Sequence, residues 1–228
     1  MPGQRCATCV VRTRRLKVMN LYMVRHGQTA ASRDNRFSGS SDPPLTPAGE
    51  AMARSFARAY APLRWEAIYT SPMLRTRQTS APLCELTGMQ ATVEDGLKEI
   101  SYGEWEGLEQ ADVKSRWPEA FEYWAADVAS RGTPGGETAF HVAARAMAVV
   151  ERIRSRHDAG NVLIVSHKAT LRVITCALLG LDVRLFRDRI AQPVAAVTMF
   201  AVTNKTAQLT IFGDRSHLSE ELRNQEGT

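Results

Sequence analysis

The chain has 228 residues, of which 44% are hydrophobic and 23% charged; that is ordinary globular usage and excludes disordered, collagen-like and coiled-coil classes. No stretch nears the ~20 apolar residues that a membrane-spanning helix needs. The net charge of +5 sits in residues 1–19, where Arg5, Arg12, Arg14, Arg15 and Lys17 face no acid, so the remainder is balanced and offers no basic surface for nucleic acid.

The basic segment 1–19 lacks the apolar stretch of a secretory signal and reads as a disordered N-terminal extension to a cytoplasmic protein. Cys6 and Cys9 form a lone CxxC, with no second pair to complete a zinc set. Asn20–Val24 is a short apolar run and predicts a buried strand, directly followed by Arg25-His26-Gly27. A Ser-, Gly- and Pro-rich stretch then marks a loop up to residue 45. Thr46-Pro47 predicts a helix start, and Met52, Phe56, Ala59 and Tyr60 fall on one helical face. Ala67–Thr70 predicts a second strand, and a helix follows from Met73 to Leu86, disturbed at Pro82 and stopped by Gly88. Residues 90–93 suggest a third strand.

Residues 97–136 form an acidic, Trp-containing insertion with two short helices, read as a small lid that ends in the hinge-like Thr133-Pro-Gly-Gly136. A long helix follows to Arg156, with Ala143, Ala146, Met147, Val150 and Ile153 facing inward. Val162–Val165 predicts a buried strand leading into Ser166-His167 and a helix that Gly180 ends. Pro193–Val202 and Ala207–Phe212 predict two late strands. Cys84 and Cys176 lie in apolar helical segments and read as core.

Strands alternate with helices, which predicts one α/β domain over 20–228: a three-layer sandwich with a mostly parallel sheet flanked by helices. Such sheets bind ligands at the C-terminal ends of their strands. His26 and His167 each follow a strand directly.

Five ordered motifs carry a resemblance. Arg25-His26-Gly27-Gln28-Thr29, Asp42-Pro-Pro-Leu-Thr46-x-x-Gly49, Thr70-Ser-Pro-Met-Leu-Arg75, Leu97-x-Glu99 through Trp105-x-Gly107, and Pro134-Gly-Gly-Glu137 with Val165-Ser-His167 together resemble the histidine phosphatase superfamily, also called phosphoglycerate mutase-like. The resemblance implies that His26 is the phosphate-accepting nucleophile. It implies that Arg25, Arg75 and His167 stabilise phosphoryl charge and that Glu99 protonates the leaving oxygen. It also implies a substrate-phosphate contact near Ser38.

The residues agree with that chemistry. A neutral imidazole can attack phosphorus and split one difficult step into two. Arginine forks match phosphate oxygens, and Gly27 leaves room for close backbone approach. There is no phosphate loop ending in Gly-Lys-Ser/Thr and no Asp cluster for magnesium, so neither a metal nor another cofactor is expected. Each residue alone has an ordinary explanation: Arg75 as a solvated helix charge, Glu99 as a loop cap, His141 and His157 as structural. His217 is weighed as a lid residue reaching the site.

Two positions depart from the family pattern. Ser32 stands where an Asn is common, and Lys168 stands where Gly usually follows the second histidine. Lys168, with Arg33 or Arg36, predicts a rim that favours substrates bearing a second negative group, such as a sugar phosphate, glycosyl phosphoglycerate or phosphoserine. The short insertion favours a phosphatase on small phosphate esters over a 2,3-bisphosphoglycerate-dependent phosphoglycerate mutase. A catalytically silent phosphate-binding scaffold is the third reading. No nucleic-acid or membrane partner is expected, and exposed lid aromatics leave a homodimer open.

Overall fold

The structure, a computed structural model, describes residues 17–227. Cys6, Cys9 and the first four arginines therefore lie outside the described residues. Among the described residues no helix is long and apolar enough to cross a membrane.

A six-stranded sheet is built from β1 (Met19–Arg25), β2 (Trp65–Thr70), β3 (Ala91–Val93), β4 (Gly160–Ser166), β5 (Val197–Val202) and β6 (Ala207–Asp214). The strand order is β3-β2-β4-β1-β5-β6. The first four strands run parallel, and β5 and β6 add antiparallel to one side. The helices are α1 (Ala30–Arg33), α2 (Pro47–Tyr60), α3 (Leu74–Thr87), α4 (Gln110–Arg116), α5 (Pro118–Ala126), α6 (Ala139–Arg156), α7 (Lys168–Leu179), α8 (Phe186–Arg189) and α9 (Glu220–Arg223).

The three layers follow from strand alternation. Leu21, Met23, Val162 and Ile164 face α6 and α7 in one core. Tyr22, Val24, Leu163 and Val165 face Phe56 of α2 and Leu83 of α3 in another. Both faces are covered, which is why β1 and β4 read as unbroken apolar runs. The helix starts and stops are local: Thr46 and Thr138 accept from the third residue after them, and Gly88 and Gly180 adopt left-handed conformations.

Residues 97–136 do carry two short helices, α4 and α5. They pack through a core of their own, in which Trp105, Val113 and Trp124 meet Phe37, Val142 of α6 and Val173 of α7. Helix α3 runs through Pro82 to Thr87 and is stopped by Gly88, as the sequence suggested. Three details correct the sequence expectations. The 133–136 segment is no free hinge: Glu104 N–H donates to Pro134 O and Glu137 N–H to Ser101 O, and a Cβ on Gly103 would stand 2.1 Å from Pro134 O. Strand β5 begins at Val197, because Ala196 N–H turns back to Pro193 O. On α6, Val142 and Val149 are fully covered, whereas Ala143 and Met147 are only partly so.

Candidate active site

Strands β2, β4 and β1 are adjacent, and their register sets Arg25 opposite Ser166 and Thr70 opposite Val165. The chain leaves all three at one edge, so His26, Ser71 and His167 converge. The two imidazoles stand 5.2 Å apart between ring centres, at 60°, and His26 N–H donates to Ser166 O at 3.0 Å.

His26 Nδ1 lies 2.8 Å from Gly27 O. A carbonyl can only accept, so Nδ1 carries the proton and the lone pair resides on Nε2. Burial holds this ring well below the ordinary histidine value; the charges of Arg75 and Arg25 add to that, and the Gly27 bond opposes them. The imidazole is neutral, with its lone pair turned away from Gly27.

The guanidinium of Arg25 is buried. Its Nη1 donates to Gln192 O at 2.8 Å, and its Nε has no partner. Burial lowers it to about 9, opposed by Glu99 and reinforced by Arg172 and Arg75. An unfilled donor beside a neutral histidine is what a site for anionic oxygens requires.

His167 is fully buried. Arg75 Nε donates to its Nδ1 at 3.1 Å, so Nε2 bears the proton and donates to Ser71 Oγ at 2.8 Å. The ring is neutral in this arrangement, because an imidazolium has no lone pair to accept from Arg75. Burial first, then Arg75 and His26, hold the ring well below its ordinary value. In this structure both nitrogens orient neighbours.

Arg75 reaches the loop after α1 with its remaining nitrogens: Nη1 donates to Ser41 O at 2.7 Å and Nη2 to Gly39 O at 3.0 Å. The amides of the same loop converge on Glu106, whose carboxylate accepts from Gly39 N–H at 3.0 Å, Ser40 N–H at 2.8 Å, Ser41 N–H at 3.3 Å and Tyr102 N–H at 2.9 Å. Glu106 thus sets the loop that sets Arg75. Sequence reading passed over it as the unassigned residue between Trp105 and Gly107, where an acid next to a core tryptophan was the available signal.

Glu99 is buried at the start of α7. Its Oε1 accepts from Ile100 N–H, Thr170 N–H and Thr170 Oγ, and its Oε2 accepts from Ala169 N–H at 3.0 Å. Arg145 pins the segment from behind, donating to the carbonyls of Gly96, Lys98 and Glu99 and forking onto Glu137.

These groups open into a cavity of about 160 Å³. Arg25, Arg36, Arg75, Lys168, Arg172 and Arg187 line it, against the single acid Glu99. Arg172 and Arg187 were not anticipated from sequence, since single arginines on a helix and in a short turn look like solvated charges.

The secondary contacts fare unevenly. Ser32 and Ser38 are on the cavity wall, but the Ser32 hydroxyl closes a capping box with Thr29 and Ser38 Oγ meets Ser41 Oγ at 2.9 Å. Arg36 is at the rim, held to Glu109 at 2.7 Å. Arg33 pairs with Asp34 and is not on the wall. Gly27 has a packing reason: a Cβ there would stand 2.5 Å from Gly49 O, so its absence lets the end of β1 close on α2. Lys168 lines the cavity, lowered to about 8 by burial first and then by Arg25, Arg172 and Arg187, with Glu99 opposing.

His217 does not reach the cavity; its ring stands edge-on to Phe56 and Tyr60. His141 caps α6, and His157 meets the Tyr69 hydroxyl at 2.9 Å. Among the described residues no group of three or more His, Cys, Asp or Glu is placed to hold a metal ion.

Comparison with known proteins follows the same lines. The sequence model of the histidine phosphatase superfamily (branch 1) matches residues 21–215. Phosphoserine phosphatase 1 of Hydrogenobacter thermophilus is 31% identical over 169 residues, covering 74% of this chain and 80% of its own. Glucosyl-3-phosphoglycerate phosphatase of Mycolicibacterium vanbaalenii is 30% identical over 176 residues, covering 74% and 77%. Among solved structures, Bacillus stearothermophilus YhfR superposes with a TM-score of 0.82 at 27% identity, covering 88% of this chain and all of its own.

Proposed function

This chain belongs to the histidine phosphatase superfamily (branch 1), and from that premise we propose that it hydrolyses small phosphate monoesters through a phosphohistidine on His26, without a metal ion. Phosphoserine and glucosyl-3-phosphoglycerate, named in two relatives, represent the substrate class. The observation that carries the reading is the neutral His26, its lone pair on Nε2, at the floor of a cavity walled by cations.

In the first step Nε2 of His26 attacks phosphorus in line. The N–P bond forms as the ester P–O bond breaks. The electron pair leaves on the alcohol oxygen, which takes a proton from the Glu99 carboxyl. In the second step Glu99 accepts a proton from water, the new O–P bond forms, and the N–P bond breaks to restore a neutral ring. Oε2 of Glu99 receives one backbone donor against three donors at Oε1, so Oε2 is the oxygen with capacity to spare.

Arg25 and Arg75 supply the charge that a metal would otherwise supply, and Arg25 Nε is an unfilled donor for a phosphoryl oxygen. His167 holds Arg75 through its Nδ1.

Hydrolysis of p-nitrophenyl phosphate in EDTA tests the proposal. The expected result is turnover that His26→Ala abolishes, with an acid-labile, base-stable phosphoryl adduct on the wild-type ring. Turnover surviving in His26→Ala overturns it. Activity that requires a bisphosphoglycerate primer would assign a mutase instead, and phosphate-ester binding with no turnover would assign a scaffold.

A further inference from the structure

Glu99 lies on backbone that is neither helix nor strand: residues 98–102 run irregularly between two single turns of helix. No ladder of main-chain bonds fixes such a segment, so side chains from other elements must satisfy and shape it. The four consecutive carbonyls of 96–99 are each taken by a side chain. Gly96 O, Lys98 O and Glu99 O accept from Arg145 of α6, at 2.9, 2.7 and 3.0 Å. Leu97 O accepts from Ser166 Oγ at the end of β4, and Lys98 O accepts also from Thr170 Oγ of α7. Gly96 permits the close approach, since a Cβ there would stand 2.6 Å from Arg145 O.

Arg145 has every guanidinium nitrogen engaged. Besides the carbonyls, its Nε and Nη2 fork onto the two oxygens of Glu137, each at 2.9 Å. Glu137, the last residue of the Pro134-Gly-Gly-Glu137 motif, in turn accepts from Ser101 N–H at 3.0 Å and donates its own N–H to Ser101 O at 2.9 Å. The pair therefore grips the chain on both sides of Glu99. Burial pushes the Glu137 carboxyl up, but the Arg145 fork and the Ser101 amide outweigh it and hold the group below its ordinary value, so the pair is charged. Neither residue lines the cavity.

Glu99 is thus anchored twice. Its carboxylate meets the first amides of α7, and its backbone is held from α6. Together the two anchors fix where Oε2 stands. Proton transfer by a placed carboxyl contributes on the order of 10²–10⁴-fold, and a misplacement of about 1 Å forfeits much of that. Lysine cannot do what Arg145 does here: an ammonium has no planar fork with which to hold a carboxylate and several carbonyls at once.

We propose that Arg145, braced by Glu137, is a positioning residue for proton delivery: by fixing the backbone of Glu99 it aims the carboxyl at the leaving oxygen, so that a loosened clamp penalises each ester according to its leaving group's need for a proton. The proposal rests on the phosphatase reading, in which Glu99 is the acid, and adds to it the side chains that aim the acid.

Two esters of one shape test it. p-Nitrophenolate leaves readily without a proton, whereas the phenolate of phenyl phosphate does not, and kcat/KM reports the step that releases it. Arg145→Lys is expected to lower kcat/KM for phenyl phosphate by about tenfold or more, and for p-nitrophenyl phosphate by no more than about twofold. Lysine keeps the charge that Arg145 exerts on His167, so the substitution isolates the fork. Glu137→Gln keeps the shape and weakens the fork; it is expected to move the same ratio less far, and it carries the test if the lysine variant does not fold by circular dichroism. An equal loss on both esters, as a merely structural role would give, overturns the proposal, and so does a ratio that both variants leave unchanged. Glu99→Gln is the reference and is expected to shift the ratio at least as far as Arg145→Lys. A ratio unmoved by Glu99→Gln means that the acid assignment itself has failed, whereas a ratio moved by Glu99→Gln but not by Arg145→Lys means that only the clamp has.

Discussion

Replacing Glu106 by glutamine tests how the arginine loop is held. The carboxylate is half-buried and gathers four backbone N–H groups, from Gly39, Ser40, Ser41 and Tyr102. Glutamine keeps one acceptor oxygen and turns an NH₂ toward donors. Two of the four amides lose a charged acceptor, and each such loss is worth roughly 1.5–3 kcal/mol against a neutral bond of roughly 0.5–1.5. A loss of about 2–4 kcal/mol is expected, which for this length lowers Tm by about 5–10 °C. Because the carbonyls of Gly39 and Ser41 hold Arg75, kcat/KM for p-nitrophenyl phosphate is expected to fall by about tenfold or more as well. The pH dependence has a definite sign. Burial pushes the Glu106 carboxyl up, but the four amides outweigh it and hold the group below its ordinary 4.5. Its stabilisation is therefore complete above pH 4.5 and is lost as pH falls through the folded value. Thermal unfolding followed by circular dichroism, at pH 7.5 and at steps down to pH 3.5, with kcat/KM at pH 7.5, reads all three effects. A variant with wild-type Tm and wild-type kcat/KM would refute the chain from Glu106 to Arg75.

Gly27→Ala forces a Cβ to within 2.5 Å of Gly49 O, backbone against backbone, and is expected to cost about 2 kcal/mol in urea unfolding; an unchanged midpoint would remove the close-approach explanation. His217 is lowered to about 4 by burial, with Asp214 opposing and Arg215 assisting, and neither ring nitrogen has a partner. The unfolded chain takes up this proton near 6.5 while the fold refuses it, so stability drops between pH 6.5 and 4 by up to on the order of 3 kcal/mol. His217→Phe should flatten that interval relative to wild type, and parallel curves would count against a buried neutral ring. Nitrogen-15 NMR of His26 at pH 6 should report a neutral ring protonated at Nδ1, whereas an imidazolium signal there would contradict the nucleophile assignment.

The legible parts of this protein are those encoded over short distances. The apolar runs that became β1 and β4, the Thr46-Pro47 start, the glycine stops at 88 and 180 and the ordered motifs around His26, Arg75, Glu99 and His167 all depend on neighbours in sequence. The parallel order at the sheet then brings both histidines to one edge without further instruction. Where reading fell short, the missing partner lay far away in the chain: Glu106 gathers the amides of Gly39, Ser40 and Ser41, and the 133–136 segment that looked like a hinge is held to Glu104 and Ser101.

Sequence alone determined the fold class and the family and set a histidine at the end of each of two buried strands, because strand periodicity, helix caps and ordered motifs are local properties. Tertiary structure decided the protonation pattern of the two imidazoles, the loop that Glu106 sets for Arg75, the packing of Gly27 and the arrival of Arg172 and Arg187 at the cavity wall. Most of those depend on which groups meet across long stretches of chain, as Arg75 does with His167. Hydrogen bonds and charges acquire their energies from such encounters and from burial, and neither exists until the chain has folded.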